Sequence, residues 1–294
     1  MTDTETLAFY TRPGRFTSPG PHLEALRALP DTVPELFRTV QGLVIHEYLP
    51  WLYGLDREPG YTDTAHLRSA EQIADRLLSD GRPLTESREP QDRFGGCCRH
   101  FTILAVAALR AHGVPARARC GFAAYFPVPN LEDHWVVEYW STDQARWVLG
   151  DAQIDPIQRA DFEVDLDFTD IPRDQFLVAG DAWNRCRKGD DPNRYGFNGA
   201  DMYGELFVVG DLIRDTAALS DLELLPWDFW GAMPRPGEPV GDELGELLDR
   251  LAAITADPET AAEVRDLYEA DERLRVPERV YNFILDREEA LTAA

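Results

Sequence analysis

A thiol, an imidazole and a carboxylate stand in this chain where they could act together. Cys98 lies at the mouth of a long apolar run, in "GGCCRHFTILAVAALRAHGVP" over 95–115; His134 opens "HWVVEYW" after a loop; Asp151 closes "RWVLGD". A thiol attacks as its thiolate, and the unpaired N–H groups and dipole at a helix N-terminus stabilise that charge. A histidine in reach takes the proton and returns it to a leaving group, and a carboxylate holds the ring in the useful orientation. Cysteine, histidine and aspartate in this order are a nucleophile, a base and an orienter for attack on an acyl carbonyl through an acyl-thioester.

These residues need elements to position them. Phe101, Leu104, Ala105, Ala108 and Leu109 recur at helical spacing, and Ile103, Val106 and Ala107 fill the other faces. The pattern predicts a buried helix that ends at Gly113, with Pro115 beyond it. Residues 116–126, 134–140 and 146–151 read as strands, the last two joined by the turn-like "STDQA". A buried helix followed by an antiparallel sheet is an α+β core, in which a histidine at a strand mouth can face the start of the helix. Around it the spacing predicts helices over 34–48 and 65–78, over "RDQFLVAGDAWNRCRKG" up to Gly189, over "ELFVVGDLIRDTAAL", and at about 240–254, 258–270 and 276–289. The first twenty residues read as an extended or poorly ordered arm, and "DFEVDLDFTD" as a loop or short strands. Three zones result: a helical part over 1–90, a core over 91–156, and a mostly helical part over 157–294 packed on that core as one domain.

The 294 residues are 44% hydrophobic, enough to bury a core without staples. With 53 acidic against 29 basic residues the net charge is −24, which excludes a nucleic-acid partner and favours cationic or neutral substrates. The longest apolar run, 103–109, is far short of the roughly 20 residues that span a bilayer, and the start lacks a signal pattern, so a cytoplasmic protein with no membrane partner is expected. Cys97, Cys98, Cys120 and Cys186 follow no disulfide framework and are expected to be reduced; Cys120 and Cys186 read as small buried hydrophobes. Cys97, Cys98 and His100 are too crowded to share one tetrahedral ion, and no phosphate-binding glycine loop occurs, so neither metal nor cofactor is expected. Lys188 is the only lysine.

Taken in order, the motifs resemble the core of the transglutaminase-like superfamily. Gly96, Cys98, Arg99 and Phe101 match its cysteine motif; Gly113, Pro115, Ala116 and Arg117 the turn after the helix; His134 and Glu138 the histidine strand; Trp147 and Asp151 the closing strand. The resemblance implies a papain-like fold with helical N- and C-terminal extensions, with Cys98 as nucleophile and Cys97 as the variable residue before it. The sequence departs from the pattern at His100, where aspartate is common, and at Ala152-Gln153, where proline and threonine are frequent. The backbone N–H of Cys98 supplies one oxyanion donor, and Gln91, seven residues upstream as in papain-like proteases, is a candidate for the second. Cys97, Trp135 and His100, the last on the helix surface near the pocket, are candidates to touch substrate; Trp183 and Trp227 are further candidates to line a cleft. Three readings stay open: hydrolysis of a peptide or small amide, acyl transfer to an amine, and a noncatalytic binding module, the last disfavoured by the intact set Cys98, His134 and Asp151.

Overall fold

The apolar run behind Cys98 is a buried helix, and the first of two units is built round it. The computed structural model describes residues 4–56, 58, 60–235 and 238–291. Of the described residues, one unit comprises those up to 118 and 135–171, the other 119–134 and those from 172 onward. No helix among the described residues is long and apolar enough to cross a membrane.

In the first unit α1 (Thr4–Thr11), α2 (Leu23–Arg27) and α3 (Val33–Leu43) lead into β1 (Val44–His46), and α4 (Ala70–Leu78) leads to β2 (Phe94–Gly96). The two short strands pair in parallel, Val44 opposite Phe94 and His46 opposite Gly96. Helix α5 (Cys98–Ala111) follows at once and is buried from Cys98 to Arg110, as its all-round apolar pattern requires. It ends where the sequence says: Gly113 turns left-handed at φ +79°, and the N–H groups of Gly113 and Val114 donate to the carbonyls of Arg110 and Leu109, both at 2.9 Å. Next come β3 (Ala116–Ala123), β4 (Leu131–Ser141), β5 (Arg146–Gly150) and α6 (Pro156–Asp161). Within this unit β4 and β5 pair antiparallel, with Val137 opposite Gly150.

Two motif residues prove to be partners here. Arg117 on β3 donates from Nε to Glu138 Oε2 on β4 at 2.8 Å, both side chains buried, and the guanidinium lies 4.0 Å from the Trp147 ring and 5.0 Å from that of Tyr10. Tyr10 belongs to α1, so the expected extended arm is instead a helix anchored by one buried aromatic residue.

β3 and β4 continue into the second unit, where the strand order is β6 (Phe176–Val178), β3, β4, β7 (Tyr195–Phe197), β8 (Met202–Tyr203). Helices α7 (Ala179–Arg187), α8 (Glu205–Ala218) and α9 (Asp242–Thr255) pack on one another, with β9 (Asp228–Phe229) before α9 and α10 (Ala261–Ala270) after it. β10 (Arg279–Asn282) and β11 (Arg287–Ala290) then form a hairpin paired to β9. The helix expected over 276–289 is therefore a hairpin. Its turn carries Asp286 at φ +48°, with Asn282 Oδ1 accepting from the Leu285 N–H at 3.0 Å. The helix expected to begin near Arg173 begins at Ala179, because Phe176–Val178 pairs with β3; at Gly121, opposite Val178, a Cβ would stand 2.1 Å from the Leu177 carbonyl oxygen. The helix expected over 34–48 stops at Leu43 and yields to β1, and the one expected over 65–78 starts at Ala70.

Candidate active site

Cys98 is the first residue of α5, and Cys97, in extended conformation at φ −114° and ψ −179°, is its N-cap. Of the two thiols Cys98 keeps the greater exposure, 6% against 1%. One turn into the helix, the Thr102 hydroxyl donates to the carbonyl oxygens of Cys98 and Trp135, each at 3.1 Å. The first turn of α5 is thereby tied to β4 at the residue next in sequence to His134.

His100 is not on the helix surface. It is fully buried, its Nδ1 accepts from the Cys97 N–H at 3.0 Å, and its Nε2 donates to the Leu67 carbonyl at 3.1 Å. Its ring rests on Gly96, where a Cβ would lie 2.8 Å from the imidazole Cγ. The motif glycine thus leaves room for a histidine that closes the start of the helix, and with both nitrogens engaged His100 has none to offer a substrate or a metal. The Cys97 Sγ is 3.3 Å from the same Nδ1. Burial pushes the Cys97 thiol up, while a hydrogen bond from Cys98 and the charges of His100 and His46 pull it well below the ordinary thiol range. The Cys97 N–H donates to His100 Nδ1, and the Tyr48 N–H donates to His46 Nδ1 at 3.2 Å. A nitrogen that accepts carries no proton, so Nδ1 is the bare nitrogen of each ring.

His134, on β4 in the second unit, is 2% exposed and faces ring edges of Phe126, Tyr125 and Phe176 at 5.1, 6.1 and 6.5 Å. Two residues earlier, on the same strand face, is a carboxyl that sequence reasoning missed. Burial, with lesser contributions from neighbouring charges, pushes Glu132 up to about 7 although Asn198 donates to it from backbone and side chain. Nothing in "NLEDHW" signals this, because the burial is supplied by distant chain.

Asp151 follows β5 in the first unit and is 1% exposed. Its N–H donates to the Phe168 carbonyl and its Oδ1 accepts from the Gln153 N–H, both at 2.8 Å. The departure Ala152-Gln153 supplies its own brace: Gln153 donates to Gln158 Oε1 at 3.1 Å, Gln158 to the Tyr53 hydroxyl at 2.9 Å, and Tyr53 to Asp155 Oδ2 at 2.9 Å. Burial and the Asp155 charge push the Tyr53 hydroxyl far up, so it remains a donor.

The other candidates are placed differently from expectation. Gln91 lies on a turn before β2, on the wall of a polar cavity of about 200 Å³ shared with Glu47, Thr62, Arg76 and Asp92, and Cys98 is not in that wall. The three extended residues of β2 carry the chain about 10 Å before Cys97 is reached, so Gln91 stands at the far end of that strand from the thiols. Trp135 is fully buried and is an interior residue rather than a cleft wall. Trp183, whose Nε1 donates to Asp249 at 2.8 Å, and Trp227 are likewise interior. None of the four cysteines is in a disulfide. Among the described residues Cys120, Asp133 and Asp211, all in the second unit, bring one sulfur and two carboxylate oxygens within 4.8 Å of one another. Burial, with Asp133 adding to it, pushes the Asp211 carboxyl well up, and burial, with Asp211 adding to it, does the same to the Cys120 thiol. Arg214 pairs with Asp211 at 3.2 Å, so the cluster carries its own counter-charge.

A sequence model of the transglutaminase-like superfamily matches residues 60–152, a span that includes α4, β2, the Cys98 helix, both strands of the histidine hairpin and Asp151. Residues 60–152 are a transglutaminase-like core. No curated protein matches the chain. A solved structure, a candidate cysteine protease from Cytophaga hutchinsonii, matches at 18% identity and a TM-score of 0.34 over 61% of this chain and 50% of that one. The match thus spans only half the length of that protein.

Proposed function

We propose that the chain is a cysteine enzyme that hydrolyses a peptide or small amide bond through an acyl-thioester on Cys98. The observation that carries this is the position of Cys98: first residue of a buried helix inside a transglutaminase-like core, less deeply buried than Cys97, with its turn pinned by Thr102 to the backbone beside His134. Cys98 Sγ attacks the carbonyl carbon as His134 takes the thiol proton, and the C–N bond breaks as His134 delivers that proton to the leaving amine. Water then attacks the thioester, His134 accepts its proton, and the acid departs as the thiol reforms. Asp151 keeps the imidazole oriented, and its own carboxylate is fixed by the Gln153 N–H. An amine in place of water would give transfer instead. With Lys188 as its only lysine the chain is a poor acceptor for itself, and its net charge of −24 suits cationic or neutral substrates in a reducing, cytoplasmic setting.

The test is the pH dependence of Cys98 alkylation by iodoacetamide. The account expects labelling to persist below the ordinary thiol value of about 8.5, and His134→Ala to move the profile upward in pH while the fold survives. Asp151→Asn should disturb turnover more than the thiol profile. A profile unchanged by His134→Ala would separate the two residues and leave a noncatalytic binding module as the better reading.

A further inference from the structure

Three buried carboxylates on β4 and α8 are matched by arginines: Glu138 by Arg117, Asp215 by Arg119, Asp211 by Arg214. Glu132, on β4 two residues before His134, is not. Among the described residues no cationic side chain forms an ion pair with it; the charges that act on it are those of Asp133 and His134, its neighbours along the strand. Arg194, at the start of the adjoining β7, is already paired with Asp190 at 2.8 Å. What Glu132 has instead is a brace on one oxygen. Oε2 accepts from the Asn198 N–H at 3.1 Å and from Asn198 Nδ2, and Asn198 Oδ1 accepts from the Tyr203 hydroxyl of β8 at 3.0 Å. Oε1 accepts no hydrogen bond from any described residue, and in a residue that is 9% exposed it is not sealed from solvent.

We propose that Glu132 is a specificity residue that receives an ammonium or guanidinium group of the substrate on its open oxygen, beside the His134 that handles the proton. The inference rests on the reading of His134 as the base. Glu132 and His134 are two positions apart on one strand and share its face, which sets their backbones about 7 Å apart, the span of two extended residues. The substrate class is therefore an amide with a positive charge within about two residues of the bond that breaks. A carboxyl that served the fold alone would gain nothing from an oxygen left open, whereas a charge-assisted hydrogen bond to a cation needs one. Burial raises the Glu132 carboxyl to about 7 against the pull of the Asn198 donors, so a cation arriving at Oε1 supplies the missing counter-charge and displaces a proton near neutral pH.

The experiment is NMR of the full chain with labelled histidine rings, titrated with n-propylammonium chloride or with n-propanol at equal ionic strength, for the wild type, Glu132→Gln and Asn198→Ala, with thermal unfolding alongside. The His134 signal is identified by its loss in His134→Ala. In the wild type the ammonium should shift that signal saturably and the alcohol should not. Its apparent affinity should fall about tenfold from pH 8 to pH 6, as the ionised share of a carboxyl that titrates near 7 drops from roughly nine tenths to roughly one tenth. Glu132→Gln should weaken the ammonium at least tenfold at pH 8, and the pH dependence it retains measures the part due to charge on His134 itself. Asn198→Ala, which frees the carboxylate from its brace, should weaken it severalfold, and it decides the matter if Glu132→Gln fails to fold. No saturable shift in the wild type, an equal shift with the alcohol, or a wild-type midpoint in the folded variants overturns the proposal. The titration needs neither turnover nor Cys98, so a chain in which His134→Ala leaves Cys98 alkylation unchanged would lose the enzyme reading while Glu132 kept its cation.

Discussion

Helices α5 and α8 are each fourteen residues long and buried over most of their surface, yet they bury different chemistry. α5 is apolar through its middle and keeps polar groups for its ends: Cys97, Cys98, Arg99 and His100 at the start, Arg110 at the finish. α8 carries Asp211, Arg214 and Asp215 in its interior, all buried. In α5 hydrophobic burial holds a helix whose start is chemically interesting. In α8 packing depends on charge partners brought from far along the chain: Arg119 on β3 donates from Nε to Asp215 Oδ1 at 2.9 Å, from Nη2 to Oδ2 at 2.8 Å, and to the Thr255 carbonyl at 2.7 Å. A polar group at a helix end can be satisfied locally, whereas one in mid-helix must be matched by tertiary structure.

Breaking the α8 arrangement should cost most. Asp215→Ala leaves the Arg119 guanidinium buried without its carboxylate and is expected to lower unfolding free energy by about 3–5 kcal/mol, read from urea denaturation. The double change Arg119→Met with Asp215→Leu should recover most of that, because an apolar pair of similar volume needs no partner. A loss under about 1 kcal/mol in the single variant would show the pair to be dispensable.

The matching change in α5, Leu104→Ala, removes apolar volume from a filled core and should cost about 3 kcal/mol, with no dependence on pH. Pronounced pH dependence there would mean that α5 too is held by charge.

Glu132 sharpens the contrast in a second way. Its folded carboxyl is raised to about 7 from an ordinary 4.5, so the folded state holds the proton more tightly than the unfolded chain. Stability from this group is full below about pH 4.5 and is lost as pH rises through 7. Glu132→Gln should therefore be near neutral at pH 4.5 and stabilising at pH 8 by at most about 3 kcal/mol. Equal effects at the two pH values would mean that the Glu132 carboxyl titrates alike in the folded and unfolded chain.

The smallest effect is expected at Gln91. Since β2 separates it from the thiols, Gln91→Ala should change kcat/KM by less than about threefold, against the 10²–10³ that a lost oxyanion donor costs. A hundredfold loss would restore Gln91 to the oxyanion site.

The same contrast explains what could be read in the sequence. α5, β3, β4 and β5 were legible because periodicity, a terminal glycine and a short turn are local signals; Cys98 and Asp151 fall at element ends, whereas β4 starts three residues earlier than expected and holds His134 as its fourth residue. What was hidden depended on contacts between distant residues. Tyr10 orders α1 by burial near Arg117 and Trp147. Phe176–Val178 is a strand because β3 offers an edge. The run at 276–289 reads as helical, but it is short, and β9 together with a left-handed Asp286 makes its end a hairpin. His100 looked like a surface residue because a buried imidazole and a solvated one have the same letter; its cap could be suspected only from its place three residues after the N-cap.

The central claim, that Cys98 and not its neighbour forms the covalent intermediate, is tested most directly by mass spectrometry of the intact chain and its peptides after brief exposure to a pool of peptides and small amides, quenched in acid. The account predicts an acyl group on Cys98, retained in Cys97→Ala, absent in Cys98→Ala, and discharged by hydroxylamine as a thioester. Acylation of Cys97 that survives Cys98→Ala would contradict it.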